Sequence, residues 1–241
     1  MMMRSAGGLL LLSAWLIFLL IQAPASLLTR VLPASVHFSS VRGSLWQGEI
    51  AALRWQKVAL STVQWQWRLD DFMPVIRLRF AGEQGLQGEG YIVGLLTPTL
   101  YRWQVQAPAK AISAQFPALA LAAPQGILTL QLDRLSLTTA GCVELDGTLR
   151  WQDAAVVLGG ERVALGDALA RLSCRGDSGF ADWRQSSPML SAQGRVSLNR
   201  LGQASLQGSW QPEVDFPPAL VALAGGQAAG QRALSWQGKI N

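Results

Sequence analysis

The clearest signal along the chain is alternation of apolar and polar residues with a period of two, the mark of a half-buried β-strand. In Val63-Gln64-Trp65-Gln66-Trp67-Arg68-Leu69, the residues Val63, Trp65, Trp67 and Leu69 share one face, with Gln64, Gln66 and Arg68 on the other. Leu145, Gly147, Leu149 and Trp151 likewise alternate with Asp146, Thr148, Arg150 and Gln152. Further strands are expected at Val41 to Trp46, Ile50 to Trp55, Ile76 to Phe80, Tyr91 to Val93, Leu100 to Gln106, Gly126 to Leu132 and Ser235 to Ile240. Asp70-Asp71 and Gly159-Gly160 read as turns, and Gly82 to Gly90 as a flexible glycine-rich hairpin region. No long helical periodicity follows residue 30, so the expected fold is mostly all-β and antiparallel.

Parts of this pattern return. Gly43-Ser44-Leu45-Trp46-Gln47-Gly48 is echoed by Gly147-Thr148-Leu149-Arg150-Trp151-Gln152, and more loosely around Trp210 and Trp236. Val58-Ala59-Leu60 matches Val163-Ala164-Leu165, and Leu86-Gln87-Gly88 matches Ala192-Gln193-Gly194. A near-constant offset of roughly 105 residues suggests an internally duplicated Gly/Trp-rich β unit. The repeat-motif residues Gly43, Leu45, Trp46, Gly147, Leu149 and Trp151 are read as structural. Glycine on the inward face leaves room for a neighbouring indole or lets the strand bend. Trp46 and Trp151 are out of phase, so one copy is expected to carry a bulge.

Ahead of the strands, Gly7 to Ile21 is apolar apart from Ser13, after one charge at Arg4. Continued through Leu28, the run has about the 20 residues of a spanning helix. Its first part also suits a signal-peptide core, with Ala23-Pro24-Ala25 as a small-x-small cleavage site. Either reading exports the remainder of the chain. The expected organisation is a cytoplasmic tail (1–6), a transmembrane anchor (7–28), a juxtamembrane link (29–40), a first periplasmic β unit (41–106), an Ala/Pro connector with one helical turn (107–125) and a second β unit (126–241). A short apolar segment, Ala219 to Ala224, follows Pro217-Pro218.

Composition then removes function classes. A net charge of +5 is spread over alternating strands, with three lysines (Lys57, Lys110, Lys239) and no basic run, which argues against nucleic-acid binding. One histidine and two cysteines leave almost no stock for metal ligation, and no cofactor site is expected. His37 lies in the link, and neighbouring strand residues such as Asp70 and Asp71 point to opposite faces, so no catalytic set assembles. The glycine-rich stretch lacks the Lys-Ser/Thr of a phosphate loop. Arg175-Gly176-Asp177 is a tripeptide that occurs often by chance. Cys142 and Cys174 are expected to form a disulfide in an oxidising compartment, the alternative being two buried thiols. The nine tryptophans after the apolar run are read chiefly as core, with an exposed aromatic face for a partner or lipid as the alternative.

With these residues in view, the chain resembles protein N of the type II (general) secretion pathway, the GspN family. The resemblance runs through the apolar segment and its Pro-Ala-Ser-Leu-Leu, Val41 to Gly48, Trp65 to Leu69, Asp146 to Gln152 and Leu165 to Cys174. It implies a single-pass inner-membrane protein, N-terminus cytoplasmic and bulk periplasmic. Such a protein would be an accessory subunit supporting export of folded proteins across the outer membrane, with no enzymatic residues to carry over. Its partners would be other type II secretion subunits, either inner-membrane components or the secretin. The competing expectation is a groove like that of AsmA/TamB proteins, which binds or passes lipid. There the inward face would be small and aliphatic along many strands, whereas Trp65, Trp67, Trp151 and Trp236 favour a filled core.

Overall fold

The computed structural model describes residues 11–15, 18–30, 33, 35–55, 58–70, 73–94, 97–113, 123–158, 161–212 and 232–239. Its contacts divide the chain into two units, Met1–Glu83 and Gln84–Asn241. That division falls ahead of the 107–125 connector at which the composition changes. Strand β7 runs into the connector, and a helical turn, Ala109–Ser113, follows and packs on β7 and β8. Residues 114–122 of the connector lie outside the described residues, as do Gly159-Gly160 and the segment from Pro217 to Ala224.

In the first unit, residues 11–15 and 18–21 are helical, and Ala25–Arg30 forms a 3₁₀ turn. No helix among the described residues is long and apolar enough to cross a membrane, and the tail 1–6 lies outside them. Helix does not continue to Leu28. It stops at Ile21, and Pro24 forms an isolated antiparallel bridge with Ser44. Five strands come after the turn: β1 (Val36–His37), β2 (Ser40–Gly43), β3 (Gln47–Trp55), β4 (Val58–Asp70) and β5 (Met73–Gly82). β1 and β2 both pair with β3, followed by β4 and β5, all antiparallel. Directly opposed residues share a face, so Val41, Ile50, Val63 and Phe80 form one row and Trp65 and Leu78 belong to the next. Ile50, Trp65 and Ala25 are buried together, with Phe38, Val41, Trp67 and Ile76 packed around them.

The second unit is an antiparallel meander in which each strand pairs with the next: β6 (Gln87–Val93), β7 (Thr99–Pro108), β8 (Pro124–Thr138), β9 (Gly141–Leu158), β10 (Glu161–Arg175), β11 (Ser178–Ser186), β12 (Leu190–Leu198), β13 (Gln203–Pro212) and β14 (Arg232–Lys239). Cross-strand partners trace continuous rows. Trp103, Leu132, Gly147, Leu172, Ala181, Val196, Leu206 and Trp236 form one; Val105, Leu130, Leu149, Ala170, Trp183, Gly194, Gly208 and Leu234 form the parallel one. Between them, on the opposite face, runs Gln104, Gln131, Thr148, Arg171, Asp182, Arg195, Gln207 and Ser235. One face is therefore apolar across eight strands and the other polar. Yet no large side chain among the described residues is fully buried. Trp65, Trp103 and Trp210 are buried, whereas Trp236 is 53% exposed, so the filled core expected from the sequence forms around some of the inward tryptophans and not others.

Glycine makes lateral cover of an indole possible. A Cβ on Gly90 would sit 2.4 Å from the nearest ring atoms of Trp103, and one on Gly194 would sit 2.9 Å from the ring of Trp183. In the first unit Gly48 underlies Trp65 in the same way. Each indole packs against a strand position that has no side chain, so part of its aromatic area is buried along the sheet.

Candidate interaction surfaces

The two motif copies occupy different settings. Gly147, Leu149 and Trp151 lie in the middle of the 18-residue strand β9, pointing to the apolar face. The first copy departs from the strand expected over Val41 to Trp46. Gly43 ends β2 with φ near +100°, Ser44 to Trp46 turn the chain, and Gln47 starts β3. Ser44 braces this turn, its N–H donating to the Gln47 carbonyl at 2.8 Å. The strand period breaks here because the turn is shaped by partners far off in sequence.

Those partners are the end of the N-terminal helix. The Trp46 indole N–H donates to the Leu20 carbonyl at 2.9 Å, and the Leu45 N–H donates to the Ala23 carbonyl at 2.9 Å. Both carbonyls lie where regular helical hydrogen bonding runs out, and the Leu20 carbonyl also accepts the Ala23 N–H at 3.3 Å. The turn is held from the sheet side as well. The Trp65 indole N–H donates to the Leu45 carbonyl at 3.1 Å, the Trp67 N–H to the Trp46 carbonyl at 2.7 Å, and the Trp46 and Trp67 rings meet edge-on at 5.7 Å. Ala25, 1% exposed, is locked into the same core. The motif is thus a clasp that fixes the direction in which the helix leaves the first sheet. The helix itself is apolar and bare, with Leu11, Trp15, Phe18, Leu20 and Ile21 each exposed by more than half. Trp151 repeats one part of the clasp: its indole N–H donates to the Gln125 carbonyl at 2.9 Å, again 26 residues upstream.

Cys142 and Cys174 form a disulfide between β9 and β10, with Cα atoms 5.8 Å apart. The Cys142 N–H donates to the Asp177 carbonyl at 3.0 Å, so Arg175-Gly176-Asp177 is the β10–β11 turn beside that bond. Asp177 also accepts from Ser178 Oγ, at 2.9 Å, and lies 3.7 Å from the Arg200 guanidinium. On the polar face Asp182 is hydrogen-bonded to Arg195, which holds its carboxyl below the usual carboxylate range and raises the guanidinium. A shallow depression of about 670 Å³ surrounds this pair, lined by Arg171, Arg184, Gln193 and Gln207 among others.

His37 is exposed on the two-residue strand β1, opposite Arg54, and Asp70 is exposed at the end of β4; Asp71 lies outside the described residues. Among the described residues no three His, Cys, Asp or Glu side chains come together as metal ligands. The clasp is invisible to sequence reasoning, because nothing local in Gly43 to Gly48 announces a helix end 26 residues earlier. The one available signal is the Trp46–Trp151 phase difference.

Fold and junction together define an antiparallel β protein whose apolar N-terminal helix is bolted to its first sheet through a tryptophan turn. The chain belongs to the type II secretion system protein N family, whose model matches residues 34–237. It is 31% identical to type II secretion system protein N of Pectobacterium carotovorum subsp. carotovorum, over 97% of this chain and 96% of that one. It is 31% identical to the protein of that name from Klebsiella pneumoniae (91% and 88% covered) and 30% identical to that from Aeromonas hydrophila (96% of each). No solved structure matches the chain.

Proposed function

We propose that the chain is an accessory inner-membrane subunit of the type II secretion system, supporting export of folded proteins across the outer membrane by protein–protein binding. The observation that carries this reading is the family match over residues 34–237. The helix clasp supports the anchored topology, N-terminus cytoplasmic and sheets periplasmic. Cleavage after Ala25 would remove Leu20 and Ala23, whose carbonyls hold Trp46 and Leu45, and would break the Pro24–Ser44 bridge. A disulfide joining two exported strands suits the periplasm. Deletion of the gene should lower secretion of the pathway's substrates, and crosslinking in cells should join the chain to other secretion subunits. Intact-mass measurement of the purified protein should give an N-terminus at or beside Met1; a chain starting at Ser26 would refute the anchor.

A second reading has its own support. The apolar face of the second unit is small and aliphatic along consecutive strands, with Leu172, Ala170, Ala181 and Val196 between its tryptophans. That is the lining a lipid-binding groove would need. Phospholipid carried stoichiometrically through purification, with no crosslinks to secretion subunits, would put this reading first.

A further inference from the structure

Resting on the secretion-subunit reading above, we infer that strand β14 is the acceptor edge for an extended segment of another secretion subunit. That segment would be apolar at alternate positions and small where it stands opposite Trp236. Among the described residues, β14 pairs with β13 and with nothing on its other side. An edge strand leaves a row of backbone N–H and C=O groups unpaired, and proteins usually blunt such edges. The first unit does so: its edge consists of two short strands, β1 and β2, interrupted at Phe38 and Ser39. β14 is not blunted. Its eight residues contain no proline, and its register with β13 runs without a bulge from Arg232 to Lys239.

The side chains set the partner's pattern. The apolar rows end on Leu234 and Trp236, and Trp236 is 53% exposed whereas Trp103, Trp183 and Trp210 on the same face are buried or half-buried. Trp103 and Trp183 are covered by lying over a glycine of the adjoining strand. Among the described residues no strand adjoins β14 on its far side, and the Trp236 ring folds back over Gly238 of its own strand, 2.3 Å from where a Cβ would be. A strand added antiparallel to β14 would continue both rows. With a glycine, alanine or serine opposite Trp236, it would let the indole lie as the others do.

The test uses the full chain in cells, with a photocrosslinking amino acid at Gln237 or, for comparison, at Gln193 and Gln207 on the polar face. The inference expects a crosslink to a secretion subunit from Gln237 that is about tenfold stronger than from the other two positions. It also expects that changing Ser235 and Gln237, both exposed, to lysine (S235K/Q237K) abolishes association. The unfolding midpoint should not change, because charge on an edge opposes pairing without touching the core. Equal crosslinking from Gln193, association intact in S235K/Q237K, or a crosslink only to a second copy of this chain would overturn it. Crosslinks to secretion subunits from elsewhere, with none from β14, would sink this inference and leave the proposed function standing. No secretion subunit crosslinked from any position would sink both.

Discussion

Replacing Gly90 with alanine tests whether the tryptophans are held by glycines rather than by an opposing layer. On propensity alone the change should help, because glycine in a strand costs roughly 0.5–1 kcal/mol against alanine. Steric contact opposes it. The new Cβ would lie 2.4 Å from Cγ and Cδ2 of Trp103, well inside van der Waals contact, and the indole is nearly buried with its N–H donating to the Tyr91 carbonyl at 2.9 Å. Expelling the ring would give up its burial, and holding it would strain β6 and β7. Overpacking of this kind costs about 1–3 kcal/mol, and a lost indole hydrogen bond adds about 1 kcal/mol. Clash wins, and net of the propensity gain G90A should destabilise by about 1–3 kcal/mol. Trp103→Ala should cost about 3–5 kcal/mol by itself. In that background G90A has nothing to strike and should be neutral or slightly stabilising, giving a coupling of about 3 kcal/mol in the double-mutant cycle. Equilibrium urea unfolding of the full chain in mild detergent, followed by far-UV circular dichroism with the slope checked for constancy, measures all four corners. Equal costs for G90A with and without Trp103 would refute the lateral-cover argument.

Trp46→Phe keeps the ring contact with Trp67 but deletes the donor to Leu20; limited proteolysis within residues 22–30 should accelerate about fivefold, matching a net hydrogen bond of about 1 kcal/mol. Reducing Cys142–Cys174, or replacing both by serine, should lower unfolding stability by about 3–4 kcal/mol in the chain-entropy account, and thiol labelling of denatured, unreduced protein should find no free cysteine. Asp182 has a folded-state pKa depressed by Arg195. The pair's contribution is therefore present above the unfolded carboxylate value of about 3.9 and lost as pH falls through the folded value. Because both groups are solvent-exposed, Arg195→Gln should move the Asp182 carbon-13 titration upward while leaving the neutral-pH unfolding midpoint unchanged.

Where a residue's setting depends on its immediate neighbours, the sequence is readable. Val63 to Leu69 and Leu145 to Trp151 alternate cleanly because each lies within one long strand, where the pleat alone assigns faces. Irregular positions depend on distant partners. Asp153 takes a positive φ in β9, and its N–H is satisfied by the Asp167 carboxylate at 3.0 Å across the β10 irregularity. Nothing within a few residues of Asp153 encodes that. The Gly43 to Gly48 turn is the sharper case, since its letters nearly repeat those of a strand. What separates the copies is where the carbonyls come from: the helix end at Leu20 and Ala23 serves the first, whereas Trp151 in the second donates to Gln125 on strand β8. Tryptophan content also overstates a closed core, because burial by sideways neighbours looks the same in sequence as burial by an opposing sheet.

Sideways burial of tryptophan also changes how the two functional readings are separated. Inward tryptophans are expected to mark a filled core and so to count against a lipid groove. An indole over a glycine of the adjoining strand, as at Trp103 and Trp183, is covered whether or not anything occupies the apolar face, so burial of those tryptophans does not distinguish the two readings. The aliphatic stretch between the tryptophans does. Ala170 is 8% exposed and directly opposes Leu149 and Trp183. A polar residue there would spoil an acyl-chain path yet leave the backbone edge of β14 untouched. Strand addition at that edge depends on backbone groups and on Leu234 and Trp236, which a groove ligand does not require. The two readings therefore draw on different parts of the sheet, and a substitution that tests one should leave the readout of the other unchanged.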